Sequence, residues 1–289
     1  MRRLIVNADD FGLTTGVNRA IATAHEKGAV TSTTLMAESA EFEDAVRLSV
    51  AAPRLSVGCH VVLADGSPAL PAFKVPSLIE RCDAEGAHFY DGWSGFAYRA
   101  LRGQLDASEI EAEASAQIRK LQSAGLTVTH VDTHKHLHVL PFVLQPLLRA
   151  AQACGVHAVR NPFAPFRLKQ FARWPGLGRR ELASGATSVW AQAFRERVAA
   201  AGLSTPSGTF GIAATGSLGQ RLFAWIVDHI PEGTWEFVCH PGYYDAQLQK
   251  VRTRLRQSRE RELAILTAAE TRHLFARNGI ELISYRELA

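Results

Sequence analysis

The sequence predicts an α/β protein, a (β/α) barrel-like fold related to the TIM barrel and open to distortion, with long loops on its C-terminal face. Three observations predict it. Eight short apolar, β-branched runs are spread along 289 residues, and helical patterns separate most of them. Chemically capable polar residues close five of those runs, as expected of strands whose C-terminal ends carry a site. The length agrees with one barrel of about 250 residues, so residues 1–289 read as one domain with insertions at about 64–106 and 161–207.

The strand-like runs fall at about 3–8, 31–36, 55–59, 126–131, 156–160, 209–213, 235–239 and 280–284. Thr14 or Thr15 can cap a helix through Val17, Ala20, Ile21 and Ala24 that stops at Gly28. Ser108 opens a second, with Ile110, Ala114, Ile118 and Leu121 on one face and Gly125 as its break. Leu255 to Phe275 reads as one long amphipathic helix before the last strand. The first insertion holds Gly66, Pro68, Pro71, Pro76 and an aromatic group that includes Trp93 and Tyr98. The second is basic and aromatic: Arg167, Lys169, Arg173, Arg179, Arg180 and Arg195 stand against Glu181, interleaved with Phe163, Phe166, Phe171, Trp174, Trp190 and Phe194. Such excursions beside a barrel mouth commonly hold substrate. If the two face each other, their aromatics form a wall for a sugar ring or an apolar aglycone.

Composition narrows the function classes. Cys59, Cys82, Cys154 and Cys239 are widely spaced, which argues against a disulfide framework or a thiolate zinc site and for a reducing compartment. The start resembles a strand rather than a signal peptide, and no run reaches the ~18 apolar residues of a membrane span. A cytoplasmic protein is expected, with peripheral membrane contact through the basic-aromatic run left open. The net charge of +4 is mild and no recognition motif accompanies the basic run, so nucleic acid is not an expected partner.

The chemistry concentrates in two places. Asp9 and Asp10 close the first run, and His130, Asp132, His134, His136 and His138 alternate with other residues far downstream. In an extended segment these five would share one face over roughly 26 Å, so one ion could touch only one or two of them. Asp10, His60 and His134 come from three strand ends and form a two-His, one-carboxylate set able to hold a divalent ion, Zn or Mg, with positions left open. Asp9 then stands beside a ligand as a base, Arg160 can keep it ionised, and His240 can protonate a leaving amine.

The runs Val6-Asn7-Ala8-Asp9-Asp10-Phe11-Gly12, Gly58-Cys59-His60, His130 through His138 and Cys239-His240-Pro241-Gly242, with Thr31-Ser32-Thr33-Thr34, resemble the motif series of the YdjC-like carbohydrate deacetylases. The resemblance spans nearly the whole chain. It implies a barrel-like fold, a divalent ion at Asp10, His60 and His134, and removal of acetyl from an N-acetylated sugar. Thr133 stands where the family commonly has Ser, and Cys59 precedes the ligand His60.

Residues 61–71 and the insertion after Asn161-Pro162 look most like the hopanoid-biosynthesis-associated branch, which implies an N-acetylglucosaminyl hopanoid glycolipid as substrate. Soluble chito-oligosaccharides are the alternative, and a non-catalytic glycolipid-binding protein is the rival of another class. Tyr243, Trp93, Trp174, His136 and His138 are expected to meet the substrate. The expected partners are therefore a glycolipid or amino sugar, with a homodimer left open.

Overall fold

The computed structural model describes residues 1–84, 86–164, 174 and 190–288. In chain order the main elements are β1 (Arg2–Phe11), α1 (Thr15–Glu26), β2 (Ser32–Leu35), α2 (Phe42–Ala51) and β3 (Ser56–Val61). A hairpin of β4 (Ile79–Asp83) and β5 (Gly86–Phe89) follows, then α3 (Gly92–Leu101), α4 (Ala107–Ser123), β6 (Val128–Thr133) and α5 (Pro141–Ala153). Beyond them lie α6 (Ala191–Ala200), β7 (Thr209–Phe210), α7 (Gln220–Asp228) and β8 (Gly233–Cys239). The described chain closes with α8 (Ala246–Lys250), α9 (Gln257–Thr267), α10 (Ala269–Arg277) and β9 (Ile280–Ile283).

Strand–helix alternation yields a curled parallel sheet in the order β6-β3-β2-β1-β8-β7. The barrel-like reading holds, with distortions at two places. The fifth run, 156–160, is no strand: Val159 bridges Val131, Ala158 bridges Ser204, and Pro162 follows with no N–H to extend a ladder. These single bridges, with Ser207 N donating to Thr234 O, carry the ring from β6 around to β8. The last run also departs from a regular barrel. β8 pairs with β1 from Arg2 to Ala8, so β9 takes the other edge of β1 over Arg2–Ile5, below the part that pairs with β2.

Local signals explain several helix ends. Thr14 caps α1 by accepting from Val17 N at 3.1 Å. The cap of α4 is Asp106 rather than Ser108, because its carboxylate accepts from Ser108 N at 2.7 Å. The long helix expected over 255–275 is two, divided at Ala268, whose backbone is extended (φ −65°, ψ 139°). Thr271 sits just past the break, and its hydroxyl donates to Ile265 O at 2.6 Å, satisfying a carbonyl left over by α9.

The main apolar core lies between sheet and helices, while the barrel interior is largely polar. Ile5, Ala158, Ile283 and Tyr285 form a small separate apolar floor. Above it the His130 ring stacks on Tyr285 at 3.6 Å, and its Nε2 meets Asn7 Oδ1 at 3.2 Å. Residue 58 must be glycine here, since a Cβ would stand 2.5 Å from that imidazole.

Candidate metal centre and its cavity

The end of β1 brings two consecutive carboxylates to one place, which a regular strand would point to opposite faces. Asp10 adopts φ +66°, and the pairing register with β2 slips between Ala8 and Phe11. Asp tolerates this left-handed conformation better than most residues. Its Oδ1 then lies 3.7 Å from His60 Nε2 and 3.6 Å from His134 Nδ1, and the two imidazole nitrogens are 3.3 Å apart. Ligands held ~2.1 Å from one ion in tetrahedral array stand about 3.4 Å from each other, so the three donors fit a divalent ion.

The surrounding bonds orient each donor. His60 Nδ1 donates to Asp132 Oδ1 at 2.7 Å, which leaves Nε2 free as a ligand. Asp10 Oδ2 accepts from Arg259 Nη2 at 2.5 Å. Burial opposes the charged form of His60, yet Asp132, Asp9 and Asp10 raise it to about 9. The carboxylates around His60 thus favour positive charge at this place.

Asp9 is fully enclosed beside this group. Arg160 donates Nη2 to its Oδ1 at 2.6 Å and Nη1 to its Oδ2 at 2.9 Å, while Asn7 Nδ2 adds a bond of 2.9 Å. Although burial pushes the Asp9 carboxyl up, the charges of Arg160, His60 and His240 hold it far below the ordinary carboxylate range. Arg160 is itself buried and also pairs with Asp132 and with Glu236, the latter at 2.9 Å from its Nε. Tyr285 in turn donates to Glu236 at 2.7 Å. One guanidinium therefore neutralises charge among three carboxylates. His240 Nε2 lies 3.9 Å from Asp9 Oδ2, and the His240 backbone N–H donates to Glu262.

The alternating histidines do not share one face. β6 ends at Thr133, and residues 134–139 form a tight 3-10 turn in which Lys135 and His136 have φ of +58° and +54°. The Thr133 hydroxyl accepts from His138 N at 3.0 Å and folds the segment back. His130 is consequently inside the barrel, His134 stands beside Asp10 and His60, and His136 lines the adjoining cavity. His138 instead packs toward Phe194, with ring centroids 6.3 Å apart. Burial lowers His136 to about 3 and His138 to about 4, so both are neutral imidazoles near pH 7.

A cavity of about 540 Å³ opens over Asp9, Asp10, His60, His134 and His240. Trp93 and His136 line it as well. Tyr243 lies under the Arg19 guanidinium at 4.9 Å, and Trp174 packs on Trp225 at 5.1 Å; neither lines the cavity. Among the described residues, Trp93 is the one aromatic of the two excursions that does. Phe166, Phe171, Arg167, Lys169, Arg173, Arg179, Arg180 and Glu181 lie outside the described residues.

Sequence reasoning missed Arg259 and Glu236. Arg259 sits in a charge-rich helix, where an arginine ordinarily reads as solvated, and nothing local marks it as buried. Glu236 carried a legible signal, an acid set between Trp235 and Phe237 in an apolar strand.

The sequence model of the family described as "YdjC-like protein" matches residues 3–277. A carbohydrate deacetylase of Brevibacillus brevis is 34% identical over 292 aligned positions, covering 99% of each chain. A chitooligosaccharide deacetylase of Yersinia pestis is 33% identical, covering 98% of this chain and 97% of the other. Among solved structures, an Enterococcus faecalis V583 protein named for cellobiose-phosphate cleavage superposes with a TM-score of 0.76 at 28% identity, covering 100% and 99% of the two chains. The lactam utilization protein of Thermus thermophilus shares the fold, with a TM-score of 0.51 at 15% identity and coverage of 98% and 99%.

Proposed function

This chain belongs to the YdjC-like family, and from that premise we propose that it is a divalent-metal-dependent hydrolase removing acetyl groups from N-acetylated chito-oligosaccharides. The observation that carries the reading is the joining, in one cavity, of an ion-binding triad with a carboxylate–imidazole couple, Asp9 and His240. Asp10, His60 and His134 would hold the ion. When bound there, it supplies Lewis acidity toward an amide carbonyl and acidifies water.

The chain's own groups perform the proton transfers. Asp9, fixed by Arg160, orients the attacking water and accepts its proton as the carbon–oxygen bond forms. His240 delivers a proton to the sugar nitrogen as the carbon–nitrogen bond breaks, so the products are a free amino sugar and acetate. Asn7 and Thr34 hold Asp9 in place during this exchange, and burial excludes bulk water from its oxygens.

The names of the relatives favour the soluble sugar over the hopanoid glycolipid. Relatives that match end to end carry the names carbohydrate and chitooligosaccharide deacetylase. The glycolipid reading rests on residues 61–71 and on the insertion after Asn161-Pro162, most of whose basic-aromatic run lies outside the described residues. Among those residues no helix is long and apolar enough to cross a membrane. The test is acetate release from N,N′-diacetylchitobiose and from an N-acetylglucosaminyl hopanoid in parallel. Turnover of the free disaccharide is expected; turnover of the lipid alone would reverse the substrate assignment, and silence on both would remove the enzymatic reading.

A further inference from the structure

We infer that a two-point polar clamp holds Trp93 at the cavity mouth, and that its indole is the surface on which the sugar ring next to the reacting one stacks. The inference rests on the deacetylase reading and assigns a residue to the second ring of its substrate. A cavity of about 540 Å³ is larger than one pyranose ring needs. The ring that reacts must bring its acetamide to Asp10, His60 and His134. Space beyond it is left for a neighbouring ring.

Trp93 is the large apolar surface available to that neighbour. It sits in the first turn of α3, 44% exposed, and lines the same cavity as the ion site. An indole left open on the rim of a cavity contributes little to a core, whereas its face matches the C–H face of a sugar.

Its two preceding residues are both tied down. Gly92 N donates to Asp65 Oδ1 at 3.0 Å, and the other Asp65 oxygen pairs with Lys135, which directly follows the ligand His134. Asp91 Oδ2 pairs with Arg252 Nη1 at 2.5 Å, in the Val251–Leu255 segment of the cavity wall. Asp65 and Gly92 hold their turns with φ of +57° and +77°. The indole is thus linked on one side to the ion-site turn and on the other to a second stretch of wall. Asp65, Lys135 and Arg252 also present charged groups to the hydroxyls of whatever ring lies on Trp93.

The test compares kcat and KM for N-acetylglucosamine and N,N′-diacetylchitobiose in zinc-loaded wild type, Trp93→Ala, Trp93→Phe and Asp65→Asn. In Trp93→Ala the preference for the disaccharide, as a ratio of kcat/KM values, should fall about tenfold, mainly through the disaccharide KM. Trp93→Phe should recover most of it, and Asp65→Asn should lose about threefold as the loop loosens. An unchanged ratio, or equal decline on both sugars, overturns the inference. Wild-type silence on both sugars would sink the deacetylase reading instead. Calorimetric binding of the disaccharide would then read the clamp alone: weaker binding by Trp93→Ala upholds it, while equal binding, or none by wild type, overturns it.

Discussion

Asp132→Asn probes the candidate ion site without touching a proposed ligand. The substitution keeps the shape of the side chain and leaves an oxygen able to accept from His60 Nδ1, whose bond to Asp132 is 2.7 Å long and buried. It removes the charge and turns an amide N–H donor toward Arg160, where Asp132 presents an accepting oxygen. A hydrogen bond to a charged partner is worth ~1.5–3 kcal/mol and a neutral one ~0.5–1.5 kcal/mol, so about 1–1.5 kcal/mol of support for the His60 ligand is lost. That difference corresponds to roughly tenfold in zinc affinity, the lower end of the ~10–100-fold range for groups that orient metal ligands. Arg160 keeps its bonds to Asp9 and Glu236, so the fold should survive, which a melting curve checks. Competition with a chromogenic chelator at pH 7.5 gives the affinity, and kcat at saturating zinc should fall much less than affinity does. Zinc affinity within twofold of wild type would refute the idea that Asp132 orients and charges His60 as a ligand.

Asp9→Asn should retain zinc in the same chelator assay and lose ~10²–10⁴-fold in kcat, the range for removing a general base; near-normal turnover would exclude Asp9 from proton transfer. Gly58→Ala drives a methyl into the His130 ring 2.5 Å away and should destabilise the protein by about 1–3 kcal/mol in urea titration. His130 supplies an acid-sensitive element. Burial, the largest influence, lowers it from 6.5 to about 3, so its neutral form is the one the fold prefers. The stability tied to that preference is complete above pH 6.5 and is lost as pH falls toward 3. By pH 5 the loss is about 2 kcal/mol, which should separate the pH slope of wild type from that of His130→Gln. Parallel slopes would mean that His130 stays solvated.

The gathering of much of the candidate site was legible because barrel strands deliver their last residues to one face. Asp9, Asp10, His60, Asp132, Arg160 and His240 all end runs that periodicity alone marks as strands or strand-like bridges. What sequence could not convey was backbone that departs from period. The left-handed turn at Asp10 puts neighbouring carboxylates together, and the turn at Lys135 and His136 breaks an alternation that continues unbroken in the residue letters. A strand's end is set by where its ladder partners run out, and that information sits in β3, not in the histidine run. The division of the last long helix at Ala268 was equally silent, since Thr267, Ala268 and Ala269 contain no glycine or proline. Arg259 escaped notice because burial of a helical arginine is decided by a distant partner, Asp10.

On the proposed mechanism, Asp10, His60 and His134 hold the ion on which acetyl removal depends. Protein stripped by chelator should release no acetate from N,N′-diacetylchitobiose and regain activity in proportion to zinc or magnesium added, saturating at one ion per chain. His134→Ala should fail to bind that ion and fail to recover. Full activity in the stripped protein, or recovery by His134→Ala equal to wild type, would contradict the assignment.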